Sequence, residues 1–243
     1  MRDYLLFRLY GPLAAWGDIA VGEYRPSFVH PAKSAIIGLL AAALGIRRDE
    51  EASQKSLAES CSFAVRVDSM GVLLRDYHTT QVPSAKKGVV HYTRRSELAM
   101  NDLNTILSSR DYRCDAAYTV AITVADGSAF TVQHLATALV KPVFTLYLGR
   151  KSCPLAMPLQ PQVVSSATLR DALESVPLVE ELSIIIQNGD SLVFWEDDTA
   201  SGLERQQVIT RRDEPRSRNR WQFSERRENY GMLRKGEEPC TSA

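Results

Sequence analysis

The stretch Tyr118–Leu148, YTVAITVADGSAFTVQHLATALVKPVFTLYL, decides the fold class. Tyr118, Val120, Ile122 and Val124 alternate with small or polar residues, the period of a strand with one buried face. Asp126, Gly127 and Ser128 break that run. Val132, Leu135, Ala136 and Leu139 then recur at helical spacing, with Pro142 beyond the helix end. Val143–Leu148 is again apolar and reads as a strand. Strand, helix, strand in so short a span is one half of a split βαβ arrangement.

The other half lies upstream. Tyr4–Tyr10 (YLLFRLY) is an apolar run closed by Gly11 and Pro12, which predicts a mostly buried strand. Ile36, Ile37, Leu40 and Leu44 repeat at helical spacing, with Ser34 near the start and Gly45 as the stop. Phe63, Val65 and Val67 then alternate with Ala64, Arg66 and Asp68, as in a strand with one buried face. The order strand, helix, strand, strand, helix, strand predicts an α+β fold with a ferredoxin-like arrangement, one also used by RNA-recognition (RRM-like) folds, over residues 1–160. About forty residues separate the Leu73–Tyr77 run from Tyr118, too many for a structureless loop in a compact domain, so a protruding β-hairpin is expected at about 78–112. Beyond Pro161, a short helix around Leu169–Leu173, strand-like runs at Leu182–Gln187 and Leu192–Trp195 and a charged tail predict a smaller β-rich region, 161–243.

Composition is that of an ordinary folded protein, 44% hydrophobic and 24% charged, with a formal net charge of zero. A zero net charge offers no general field for nucleic acid, but the charges are segregated. Lys86, Lys87, Arg94 and Arg95 lie between Gln81 and Ser96 with no acid, and Lys141, Arg150 and Lys151 lie between Val140 and Arg170 with none. The Arg-rich tail is instead interrupted by Glu225, Glu228, Glu237 and Glu238, as on a solvated face. Cys61, Cys114, Cys153 and Cys240 are scattered without metal-ligand spacing and read as reduced thiols. Nothing in the pattern calls for a metal or a cofactor. No signal-peptide pattern is present and the near-apolar run Ala35–Ile46 is too short to span a bilayer, so a cytoplasmic protein is expected.

Leu146–Leu155, LYLGRKSCPL, combines a flexible Gly149, the charges of Arg150 and Lys151, and the Ser152 hydroxyl in one turn, the ingredients of a phosphate cradle or of a plain surface loop. Arg25–Ser34, RPSFVHPAKS, leads into the first helix, where Lys33 and Ser34 could serve a phosphate or simply cap the helix. Trp16 could stack on a base or anchor packing. Tyr77, His78, Lys86, Lys87, His91 and Tyr92 hold the residue types that a metal-independent ribonuclease needs, a base, a proton donor and a cation. No Walker A loop, GxSxG elbow or HExxH occurs.

Four segments together, YGPLAAWG (Tyr10–Gly17), RPSFVHPAKSAIIGLLAAALGIRRDE (Arg25–Glu50), RDYHT (Arg75–Thr79) and LYLGRKSCPL, with RRDEP (Arg211–Pro215), resemble the Cas-five family of CRISPR-associated proteins in its type I-E Cascade form. The resemblance implies a modified ferredoxin-like palm with an inserted β-hairpin thumb, a subunit without catalytic residues that holds the 5′ handle of the CRISPR RNA and caps the backbone filament. Its partners would be that RNA, the Cascade backbone subunits and the large subunit, with no membrane and no free-standing homo-oligomer. Carried onto this chain, it implies RNA contacts by Gly149, Arg150, Lys151, Ser152, Arg25, Lys33 and Ser34, with Trp16 and His78 as further candidates; the basic insert adds Lys86, Lys87 and Arg94. Lys151 stands where the family pattern suggests a second Arg, and Arg216–Tyr230 follows no family pattern. Type I-C relatives imply the alternative, a CRISPR-repeat endoribonuclease.

Overall fold

The computed structural model describes residues 1–176, 180–186, 189–196 and 201–234. In chain order the elements are β1 (Arg2–Tyr10), β2 (Leu13–Ala14), β3 (Tyr24–Arg25), α1 (Lys33–Leu44), α2 (Glu51–Ser60), β4 (Cys61–Ser69), β5 (Val72–Pro83), α3 (Arg94–Leu98), β6 (Leu103–Cys114), β7 (Ala117–Val124), α4 (Val132–Val140), β8 (Gln162–Ser166), α5 (Leu169–Glu174), β9 (Ser191–Trp195), β10 (Gln207–Ser217) and β11 (Gln222–Leu233). The protein is α+β, with one antiparallel seven-stranded sheet in the order β10-β11-β9-β4-β7-β1-β8. No helix among the described residues is long and apolar enough to cross a membrane.

Alternation places the core. Leu5, Phe7 and Leu9 of β1, Phe63, Val65 and Val67 of β4, and Tyr118, Val120 and Ile122 of β7 join one cluster with Ile36, Ile37 and Leu40 of α1 and Leu135 and Leu139 of α4. The other face is covered too. Tyr4, Leu6, Ala64 and Ala121 pack with Leu169, Ala172 and Leu173 of α5 and with Val193 and Trp195 of β9. Arg66 and Asp68, which the alternation placed on an open face, are therefore buried. They are reconciled with burial by pairing: Arg66 Nε lies 2.6 Å from Asp68, its two terminal nitrogens donate to Thr119 and to the Leu173 carbonyl, and the Thr119 hydroxyl donates to Asp68. Cys61 and Cys153 are buried free thiols and Cys114 is partly so, burial pushing the Cys61 thiol up to about 12; Cys240 lies outside the described residues.

Two expectations need correction. Val143–Leu148 is not a strand. Its first two donors cap the end of α1, Val143 to the Ala43 carbonyl at 3.0 Å and Phe144 to the Ala42 carbonyl at 3.1 Å, leaving no ladder to join. The edge beside β1 is taken by β8, with Leu5 opposite Val163. Leu182–Gln187 begins as a 3-10 turn, Glu180–Leu182, whose end accepts from Ile185 and Ile186; Gln187 lies outside the described residues. The strands after residue 161 join the same sheet, β8 beside β1 and β9, β11 and β10 outward from β4.

Residues 72–114 form a second layer. β5 and β6 pair from Val72 with Cys114 to Pro83 with Leu103, and β6 also takes β2 and β3 on its other edge. The insert expected at 78–112 falls inside this hairpin, and a connection with the single-turn α3 joins the strand ends.

The start of α1 is tied to the last hairpin by buried charges. No side chain of its own caps the helix; instead the Lys33 amide donates to Asp213 of β10 at 2.8 Å. Lys33 Nζ pairs with Glu196 at 2.9 Å and with Glu214 at 2.8 Å, and Arg226 bonds Asp213 and Glu228. Pro215, paired with Phe223 next to a register shift, lies on β10 at the edge of the sheet, where a strand tolerates proline. Burial opposes the charge of Glu228, but the His30 hydrogen bond and the nearby charges of His30, Arg226 and Arg211 outweigh it and lower its pKa to about 2. A depressed carboxyl pKa contributes stability above the unfolded value of 4.5 and loses it as pH falls toward the folded value. Melting temperature should therefore fall between those limits, with Glu228 accounting for on the order of 3 kcal/mol. Glu228→Gln should flatten that acid limb and cost about 3–5 kcal/mol at neutral pH, since two buried guanidiniums lose a partner. Parallel acid limbs in the two proteins would show that Glu228 is not the titrating group.

Candidate nucleic-acid interface

The Gly149–Ser152 turn stands at the foot of the β5–β6 hairpin. Gly149 has φ +83°, and a Cβ there would lie 1.9 Å from the Ala15 carbonyl oxygen. Its freedom thus serves close approach to its own chain. Arg150 lies over the Tyr112 ring at 4.8 Å and donates to the carbonyls of Asp111 and Arg25, both at 3.4 Å. Arg25 in turn donates to the Gly22 and Tyr24 carbonyls. Beside them Arg75 bonds Asp111 at 2.9 Å and covers the Tyr24 ring, while the Tyr24 hydroxyl also donates to Asp111. The Arg75 hydrogen bond foremost holds the Asp111 carboxyl below its ordinary range. Arg25 and Arg150 are thus brought together, with their guanidiniums partly engaged in holding the hairpin foot. Ser152 is exposed, its hydroxyl 3.9 Å from Cys153 Sγ.

Next to this turn opens a groove of about 870 Å³. Ser34, Gly149 and Lys151 line it, and so do Arg47, Arg48 and Arg218, which sequence reasoning missed. Among the described residues that line it there is no carboxylate. Asp49, 3.6 Å from Arg47 at the exposed rim, partners one of these cations. The groove arises because Gly45 ends α1 in the left-handed region and turns the chain outward, delivering Arg47 and Arg48 to one side while the 144–154 segment runs along the other. Paired arginines directly after a helix-ending glycine were the legible signal. Arg218 carried no such cue, because nothing local shows that the β10–β11 turn meets α1.

Other candidates lie elsewhere. Lys33, expected at the RNA, is buried in an interior ion pair; burial lowers its pKa, but Glu196 and Glu214 more than offset it and raise it. Trp16 is corrected from a base platform to a core residue, edge-on to Tyr118 at 5.5 Å. His78 sits midway along β5 against Asp76, opposite Ser108. Lys86 and Lys87 are exposed at the hairpin tip, while Arg94 there bonds Glu97 at 2.6 Å and the Gln81 carbonyl. Among the described residues no group of three or more His, Cys, Asp or Glu could hold a metal ion.

The family model described as CRISPR-associated protein (Cas_Cas5) matches residues 4–228. The chain belongs to the Cas5 family. Among Cas5-like relatives, the Escherichia coli (strain K12) protein described as CRISPR system Cascade subunit CasD is 40% identical over 168 residues, 65% of this chain and 70% of that one. A chain of a solved structure described as a CRISPR RNA-guided surveillance complex superposes with TM-score 0.66 and 26% identity, over 95% of this chain and 90% of its own. A second, described as a Cas protein, does so with TM-score 0.64 and 28% identity, over 96% and 95%.

The placement of Lys33 separates a structural from a binding role. Lys33→Ala takes the ammonium from the partly buried Glu196, which keeps only Arg226 at 3.7 Å, and from the half-buried Glu214, and should cost about 2–4 kcal/mol in urea denaturation. Unchanged stability together with lost RNA binding would return Lys33 to the interface.

Proposed function

We propose that this Cas5 protein is an RNA-binding subunit of a Cascade surveillance complex, without catalysis of its own, that holds the 5′ handle of the CRISPR RNA and caps the backbone filament. The observation that carries the reading is the groove beside the hairpin foot, where Arg47, Arg48, Lys151 and Arg218 converge with no carboxylate among the described lining residues. Such a surface attracts a phosphate backbone even in a chain of zero net charge. Similarity to CasD and to a chain of an RNA-guided surveillance complex supports the same reading.

The order β8-β1-β7-β4, with α1 after β1 and α4 after β7, supports a ferredoxin-like palm. The β5–β6 hairpin is then the thumb. Its exposed Tyr77, Lys86, Lys87 and Tyr92 would meet RNA and a neighbouring filament subunit. The ribonuclease alternative draws little from the geometry. Tyr77 and His78 are adjacent on one strand and so point to opposite faces, and Lys86 and Lys87 follow the end of β5, about 17 Å along the strand from His78. The inventory is strung along the hairpin.

Complexes assembled with Arg47→Ala plus Lys151→Ala should retain less RNA than wild type. The slope of log affinity against log salt should shrink by about 0.7 per lost phosphate contact. Equal retention and slope would remove the groove from the RNA path. Replacing residues 85–101 by a short Gly-Ser turn should leave the melting temperature near wild type while reducing co-purification with the other subunits; undiminished assembly would show that the tip is not a docking element.

A further inference from the structure

The turn joining β10 to β11 carries two residues that folding alone does not account for. Arg218 is partly buried, and its terminal nitrogen donates to the Ser34 carbonyl at the start of α1. Its Nε has no hydrogen-bond partner, and among the described residues it makes no ion pair with a carboxylate. Burial lowers its pKa, and the like charge of Arg48 lowers it further. A guanidinium so placed is a ready partner for an anion, since a charged hydrogen bond there is formed away from bulk water.

Trp221 is the second. It has φ +56°, a conformation that a bulky side chain adopts at a cost of about 1–3 kcal/mol. Its ring is nonetheless 59% exposed. It receives the Arg48 guanidinium at 5.0 Å and the edge of Phe223 at 5.6 Å. An exposed cation–π contact recovers about 0.5–1 kcal/mol, less than the strain at the upper end of its range. Asn or Gly would hold the same turn without that strain. Phe144 and Tyr147, both partly exposed, line the groove that Arg218 and Trp221 also line.

We propose that the β10–β11 turn completes the groove as a subsite for one unpaired nucleotide, Arg218 taking its phosphate and Trp221 stacking on its base. The inference rests on the groove being an RNA site and adds to it which side chains read the nucleotide. An indole can be stacked on only by a base that has left its own stack, so the subsite selects single-stranded RNA over duplex. Arg48 stands between the two, steadying the ring and adding charge for the phosphate.

Trp16 and Trp195 are 3% and 4% exposed, so quenching of the protein's emission by added RNA reports Trp221. Titration of the full chain with a short oligoadenylate should quench that emission, and inorganic phosphate should not. Trp221→Asn should abolish the quench, weaken binding of labelled oligoadenylate about tenfold by anisotropy, and melt at or above the wild-type temperature. Arg218→Gln keeps a donor for Ser34 but should weaken binding and reduce its salt dependence. Binding without quench, equal affinity of Trp221→Asn, or its early melting would overturn the subsite while leaving the RNA reading intact. Failure of the wild-type chain to bind the oligomer would also overturn it, and RNA retention by the assembled complex would then judge the wider reading separately.

Discussion

The buried charge cluster around Lys33 is the constraint from which the rest of the arrangement follows. It joins the first turn of α1, near the beginning of the chain, to β9, β10 and β11 near its end. Buried ion pairs contribute little net stability against well-packed apolar substitutes, but a partner removed leaves a charge that costs about 3–5 kcal/mol. The cluster therefore acts as a register device. Only one docking of the last hairpin satisfies Lys33, the α1 amide and Arg226 together, and that docking carries Arg218 and Trp221 to the groove.

A neutral chain can present a cationic surface because its charges are divided between two uses. Lys33, Arg66, Arg211 and Arg226 are consumed inside, each against carboxylates. Arg47, Arg48, Lys151 and Arg218 line the groove, with no acid among its described lining residues. Summed over the sequence, 29 basic and 29 acidic residues cancel. Resolved in space, the interior pairs take up acids and bases together, while the described lining of the groove carries cations alone.

The hairpin foot shows a related economy. Arg150, the most obvious phosphate ligand in the sequence, is stacked on Tyr112 and bonded to two carbonyls, so it couples the Gly149–Ser152 turn to the hairpin. A cation held in this way is already ordered, and any phosphate contact it adds costs less side-chain entropy than one from a free lysine. Hairpin orientation and the groove are thereby linked through one residue.

Local chemistry was enough for the elements whose signals are local. Alternation in β1, β4 and β7, the Gly45 stop after α1 and the Pro142 limit of α4 depend on neighbours within a turn or a strand, and the sequence alone determined them. It also determined, through the spacing of five short motifs, the family. Tertiary structure decided the rest. Val143–Leu148 has a strand's composition but gives its first donors to the end of α1, and Lys33 has the position of a phosphate ligand but meets Glu214 across 181 residues of chain. Trp16 and Trp221 are the same residue type with opposite fates, one inside the core and one strained at its surface, because burial is a property of what packs against a side chain and no local pattern encodes that.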